Sequence, residues 1–188
     1  MGLTRANIVN FAEMIAGTTG NTSHMNIAYA EVMQHLARSP NPPFVQSSNF
    51  TISSGTNTYT WSTNAVRLLG VFAEGKQLMP VTERELENYL LGWRDYTGTD
   101  LGTDEIHVYH TGENDLRTVR LFPQTSTGAT GTWLHSITPI TDVPAYFCLY
   151  IAFAVLERVF SYPDARQDKE FAALCGQIAL VFARLIGY

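Results

Sequence analysis

The segment Ala65–Pro123 opens Ala-Val-Arg-Leu-Leu-Gly-Val-Phe-Ala-Glu-Gly-Lys-Gln-Leu-Met-Pro-Val-Thr-Glu-Arg-Glu-Leu-Glu (65–87). It passes through Gly-Trp-Arg-Asp-Tyr-Thr-Gly-Thr (92–99) and closes on Arg-Leu-Phe-Pro (120–123). Val66–Phe72 and Lys76–Met79 read as two strands about a Glu74-Gly75 turn. Thr82-Glu-Arg-Glu85 is a capping box: hydroxyl and carboxylate each satisfy a backbone amide left without a partner at a helix start. Leu86, Tyr89 and Leu90 give that short helix an apolar side. Ile106–Tyr109, Leu116–Phe122 and Thr132–Ile137 then read as three more strands, separated by Gly112-Glu-Asn and by the Thr/Gly-rich Thr125–Gly131.

Upstream of this segment the apolar period is that of helices. Thr4 caps a first helix with Ile8, Phe11, Ala12 and Ile15 on one face, stopped by Gly17. Asn21-Thr-Ser offers caps for a second, whose stripe is Met25, Tyr29, Val32, Met33 and Leu36 and which ends before Ser39-Pro40. Ser39–Ser48 is expected to be loop. From Asn49 the period becomes two: Phe50 and Ile52, then Tyr59 and Trp61, alternate with Thr and Ser about Ser54-Gly-Thr-Asn57, which predicts a β-hairpin. That hairpin is either an amphipathic pair lying on the helices or a sticky arm reaching a partner.

Downstream, Asp142-Val-Pro144 is a helix start, and Ala145–Phe160 carries no charge before Glu157. A helix apolar all round must be covered all round. The last helix, from about Pro163, has a large stripe (Phe171, Leu174, Cys175, Ile178, Val181, Phe182, Leu185) and a small one (Ala172, Gly176, Ala179, Ala183). The small stripe predicts close approach of another helix, within the fold or between subunits. The fold expected is α+β: an antiparallel bundle of about four helices, two N-terminal and two C-terminal, with a small antiparallel sheet and hairpin inserted. The 188 residues, 45% hydrophobic, are expected to form a single domain.

Twelve basic against seventeen acidic residues give a net charge of −5, which disfavours general binding of nucleic acid or anionic membrane. The longest apolar run, Val143–Leu156, is too short to span a bilayer. The N-terminus lacks the apolar stretch of a signal peptide, so the chain is expected to be made in cytoplasm. Cys148 and Cys175 read as reduced, buried thiols, and no zinc-ligand spacing accompanies them. His107 and His110, three apart on a strand, point to opposite faces; His24, His35 and His135 are scattered. Asp100-Leu-Gly-Thr-Asp-Glu105 lacks the alternate-position acids of a calcium loop and reads as solvated. No metal, cofactor or catalytic residue is assigned, and no reaction is expected. A small enzyme built on Asp104, Glu105 or His107 is an alternative that lacks a nucleophile or phosphate loop. A carbohydrate-binding module would rest on Trp61 and Trp133.

The ordered set Val66–Leu69, Glu74-Gly75, Pro80-Val81, Glu85-Leu86, Trp93-Arg94, Thr97-Gly98-Thr99, Arg120-Leu-Phe-Pro123 and Val143-Pro144 resembles the head–tail adaptor proteins of tailed bacteriophages. Those proteins commonly follow Thr-Gly-Thr with Pro, whereas here Asp100 follows. The resemblance implies a structural virion protein at the neck, joining its portal to its tail as a homo-oligomeric ring of about a dozen copies through which DNA passes unread. The implied partners are the portal protein, a tail or neck protein, and other copies of the chain, with no membrane. A stopper or tail terminator is the near alternative. The interface residues expected are Phe50, Ile52, Tyr59 and Trp61 on the hairpin, Trp93 and Arg94, and the face Ala172, Gly176, Ala179 and Ala183. For Trp93 and Arg94, core packing with the Arg stem snorkelling outward is favoured over an interface anchor, and a ring allows both.

Overall fold

The computed structural model describes residues 2–17, 21–61, 64–89, 93, 105–111, 117–139, 143–163 and 168–188. Leu90, Arg94, Thr97–Thr99, Asp100–Asp104, the Gly112 turn with Leu116, and Asp142 lie outside them. The chain divides into two compact units, one from Met1–Phe44 with Thr138–Tyr188, the other from Val45–Ile137.

In the first unit, Thr4 caps α1 (Arg5–Ala16): its hydroxyl accepts from the Asn7 amide while the Asn7 side chain accepts from the Thr4 amide. Gly17 closes that helix in the left-handed conformation, φ 64°. α2 (Thr22–Arg38) buries Met25, Tyr29, Val32, Met33 and Leu36. Two short strands, β1 (Gly2–Leu3) and β10 (Val143–Pro144), pair ahead of α4 (Ala145–Ser161). α4 packs against α1, α2 and α5 (Lys169–Leu185). That arrangement covers much of the uncharged helix, burying Phe147, Ile151, Ala152, Val155, Leu156 and Val159. The expected cover all round is corrected: Tyr146 and Leu149 near its start are exposed. Phe153 stacks on Phe182 and Phe160 meets Phe171 edge-on, so α4 and α5 run antiparallel.

The second unit holds two four-stranded sheets. One runs in the order β2 (Val45–Ile52), β9 (Ala129–Ile137), β4 (Ala65–Ala73), β5 (Lys76–Gln77), antiparallel throughout. The other runs β3 (Thr58–Thr60), β8 (Thr118–Phe122), β7 (Val108–Thr111), β6 (Met79–Pro80), with β6 parallel to β7. Ile52, Val71 and Trp133 from the first share one core with Tyr109, Val119 and Leu121 from the second. Glu74 (φ 49°) and Gly75 (φ 78°) make the tight turn between β4 and β5. The capping box at Thr82 and Glu85 forms and starts α3 (Glu83–Tyr89).

The expected bundle of about four helices around a small sheet and hairpin is corrected. The described residues contain five helices and ten strands in three sheets. The strand unit is no small insertion. The hairpin does not exist either: β2 pairs with β9 and β3 with β8, so Phe50–Ile52 and Tyr59–Trp61 belong to different sheets. The physical reason lies in the connecting turn. The Gly55 amide donates to the Thr125 carbonyl and the Ser54 hydroxyl to the Ser126 carbonyl, so the chain between the two strands is tied to residues 125–126 and crosses from one sheet to the other. Alternation fixes which face a residue takes; it does not fix which strand lies alongside.

Candidate interaction surfaces

α5 is the element whose faces carry the most information. Asp168 caps it, accepting at 2.9 Å from the Phe171 amide. Its small residues Ala172, Ala179 and Ala183 are buried, and Gly176 lies beside α4: a β-carbon there would come within 3.0 Å of the Glu157 carboxylate. The small-residue stripe is therefore the α4 contact inside the helical unit. The helix turns its other apolar residues outward. Leu174, Leu180, Val181 and Leu185 are 52%, 61%, 55% and 74% exposed. Leu174, Val181 and Leu185 form one stripe about three turns long, spaced by two turns and then one, while Leu180 lies roughly 100–140° round the helix from them. The small stripe is the helix contact expected from the sequence, within the fold or between subunits; α4 takes that face, and Leu174, Val181 and Leu185 of the large stripe are left outward. The signal that could have separated the two faces is the doubled apolar pattern itself, because a helix packed on one neighbour can bury only one of them.

The residues assigned to the hairpin lie in the second unit's core or against it. Ile52 and Trp61 are buried. Phe50, half-buried, stacks on Trp133 with ring centres 3.8 Å apart and 7° between planes. Tyr59 is also half-buried; its hydroxyl accepts from the Ser53 amide (3.0 Å) and donates to the Thr56 carbonyl (2.7 Å). None of the four projects as an arm. Trp93 is buried, edge-on to His110 and Phe122, which is its core-packing role; Arg94 lies outside the described residues.

His107 is exposed and His110 buried, on opposite faces. Glu105 is exposed and paired with Lys76 at 2.9 Å, which holds its carboxyl below the usual range. A general base needs the opposite shift. His135 is buried on β9 with no hydrogen-bond partner on Nδ1, and burial lowers its pKa below the ordinary imidazole value. Burial raises the Cys148 and Cys175 thiols, which keeps them protonated and unreactive. Among the described residues, no cluster of three His, Cys, Asp or Glu side chains could hold a metal ion.

A cleft of about 280 Å³ lies between α2 and α4, lined by His35, Tyr150, Glu157, Arg158 and Ser161 among others. Two of its polar side chains, Ser161 and Arg158, are engaged by neighbours. The Ser161 hydroxyl donates to the Glu157 carbonyl, while Tyr162 and Arg158 both engage Glu31. No helix among the described residues is long and apolar enough to cross a membrane.

No protein-family model matches this chain. No curated protein matches it either. The surfaces themselves are what bears on function. An exposed leucine-rich helix face is a protein-contact feature: contiguous apolar patches on soluble chains mark partners rather than solvent.

Proposed function

We propose that the chain is a structural subunit of a tailed-bacteriophage neck, a head–tail adaptor that forms a ring joining portal to tail around the path of the DNA. The ordered motifs from Val66 to Pro144 suggest the family, and the outward face of α5 is the observation that carries the reading. Ring contacts are heterologous, so each copy needs two different complementary surfaces. The Leu174–Leu185 stripe is suited to be one of them.

The magnitudes favour assembly on a template. Burying a fully exposed Leu or Val is worth about 1.5–3 kcal/mol. Scaled by their exposures, the three side chains of the stripe, Leu174, Val181 and Leu185, supply roughly 3–5 kcal/mol if wholly covered. Association costs about 4–15 kcal/mol before any contact counts. One such stripe is close to break-even alone, so copies stay soluble and close into a ring when a portal holds them side by side. The net charge of −5 suits a wall that DNA slides past without gripping phosphates.

The experiment is to mix the purified chain with the portal encoded beside it and measure mass by native mass spectrometry. One copy per portal subunit is the expected result, with Val181→Asp/Leu185→Asp folding normally but leaving the portal under-filled. A lasting monomer that ignores the portal would end this reading and leave a stopper or terminator role to be tested on other neck proteins.

A further inference from the structure

Among the described residues the second unit has four edge strands, and they are not alike. β5 and β6 are two residues long and β3 is three, with Pro80 ending β6. β2 is eight residues, Val45–Ile52, and pairs with β9 residue for residue without a bulge. Its sequence, Val-Gln-Ser-Ser-Asn-Phe-Thr-Ile, contains no charge and no proline. Proteins normally blunt long edges with Lys, Pro, bulges or short length. β2 uses none of these, and among the described residues no strand pairs with its outer side. A row of unpaired amides and carbonyls accepts one kind of occupant, an extended backbone.

We infer that β2 is a self-pairing edge, to which a second copy of the chain adds its own β2 antiparallel about a two-fold axis. Two observations select a second copy. Among the described residues the other edge strands are two or three residues long. The side of β4 left open beyond β5 carries Arg67, in a strand with two register shifts, so β2 finds a flat partner of its own length only in another β2. An isologous strand pair sets like residues near like, which acidic or basic strands cannot tolerate; β2 is free of charge in a chain carrying −5 overall. The faces also match. Even-numbered Phe50 and Ile52 turn to the core while Val45, Ser47, Asn49 and Thr51 are exposed. Directly opposed residues must share a face, so their numbers must share parity. The registers using most of the strand centre on Ser48 or Asn49, and the second sets Ser47 opposite Thr51 of the other copy. This contact does not depend on the adaptor reading. It uses a surface separate from the α5 stripe and forms without a portal.

The test is sedimentation velocity on the full chain carrying Val181→Asp/Leu185→Asp, so that α5 does not contribute. The expected result is a reversible monomer–dimer equilibrium. In that background Ser47→Lys/Thr51→Lys and Ser47→Glu/Thr51→Glu should each be monomeric, because like charges face each other. Mixing the two should restore a heterodimer at least about tenfold tighter than either alone, and hydrogen exchange should slow within β2 on mixing. A monomer at every concentration would overturn the inference, as would lysine and glutamate variants that dimerise like their parent, or a mixture that gains nothing. If β2 amides become protected only when portal or tail protein is added, the occupant is a foreign strand and the second-copy assignment is wrong.

Discussion

Gly131→Ala tests the packing of the strand unit at a single atom. Gly131 sits directly opposite Phe50 across β2 and β9, and the Phe50 ring lies over it on its way to stacking on Trp133. An added β-carbon would land within the Phe50 ring, so the ring must leave its place. Leaving forfeits an aromatic stack worth about 0.5–1.5 kcal/mol, and residual overpacking costs about 1–3 kcal/mol. Against this, Ala in a strand is favoured over Gly by about 0.5–1 kcal/mol. The net expectation is a loss of about 0.5–4 kcal/mol from these terms. The assay is urea unfolding followed by tryptophan fluorescence. All three tryptophans, Trp61, Trp93 and Trp133, lie within Val45–Ile137, so the signal reads this unit alone. The midpoint should fall with the slope unchanged. In a Phe50→Ala background the same Gly131→Ala change should become neutral or slightly stabilising, giving a coupling of about 1.5–4.5 kcal/mol. Equal losses in both backgrounds, or no loss with Phe50 present, would refute the packing argument.

Other expectations follow from single contacts. Asp168→Ala removes the cap of α5 and should cost about 1 kcal/mol, read as a lower midpoint by far-ultraviolet circular dichroism. Gly176→Ala should be neutral to stabilising by up to about 1 kcal/mol, because the neighbouring Glu157 carboxylate is the flexible end of an exposed side chain; Gly176→Leu should cost about 1–3 kcal/mol by wedging α5 from α4. Unfolding of the strand unit should become easier as pH falls below 6.5. Burial depresses the folded pKa of His135, so below about 6.5, the ordinary imidazole value, the unfolded chain takes up the proton first, and stability declines until the folded pKa is passed. His135→Leu should remove that part of the pH dependence, measured by the same fluorescence titration.

Local chemistry was legible in the sequence where one residue satisfies one geometric demand. Thr4, Gly17 and the Thr82–Glu85 box mark helix ends because few side chains can reach an unpaired amide or adopt a positive φ. Strands rich in Val, Leu and Phe, such as β4, were located to within a residue or so. β2 was found only from Asn49 onward. Its first half, Val-Gln-Ser-Ser, has the composition of a loop, and pairing with β9 supplies the order that composition does not. Pairing partners were illegible for the same reason: β2 and β3 alternate alike, and the choice of neighbour is settled by contacts near residues 125–126 and by a shared core. On α5 the small face was legible as a helix contact, but not whether the helix on it would be α4 or one from another subunit. The small face won because it allows the closer approach of backbones, which left the larger side chains outside.

The first unit is made from both ends of the chain, with Val45–Ile137 between them, and this sets an order of events during synthesis. α1 and α2 leave the ribosome long before α4, the helix that covers them. At about 5–20 residues per second, the intervening stretch takes roughly 5–20 s to make, during which Met25, Val32 and Leu36 have no α4 to lie against. The strand unit, by contrast, is whole once Ile137 emerges, and its entry and exit are neighbours because Val45 pairs with Ser136. The middle of the chain can thus finish first while the beginning waits for the end. A chaperone acting on nascent chains would find its substrate in residues 22–38, and a circular permutation placing the helices in succession would shorten that exposure.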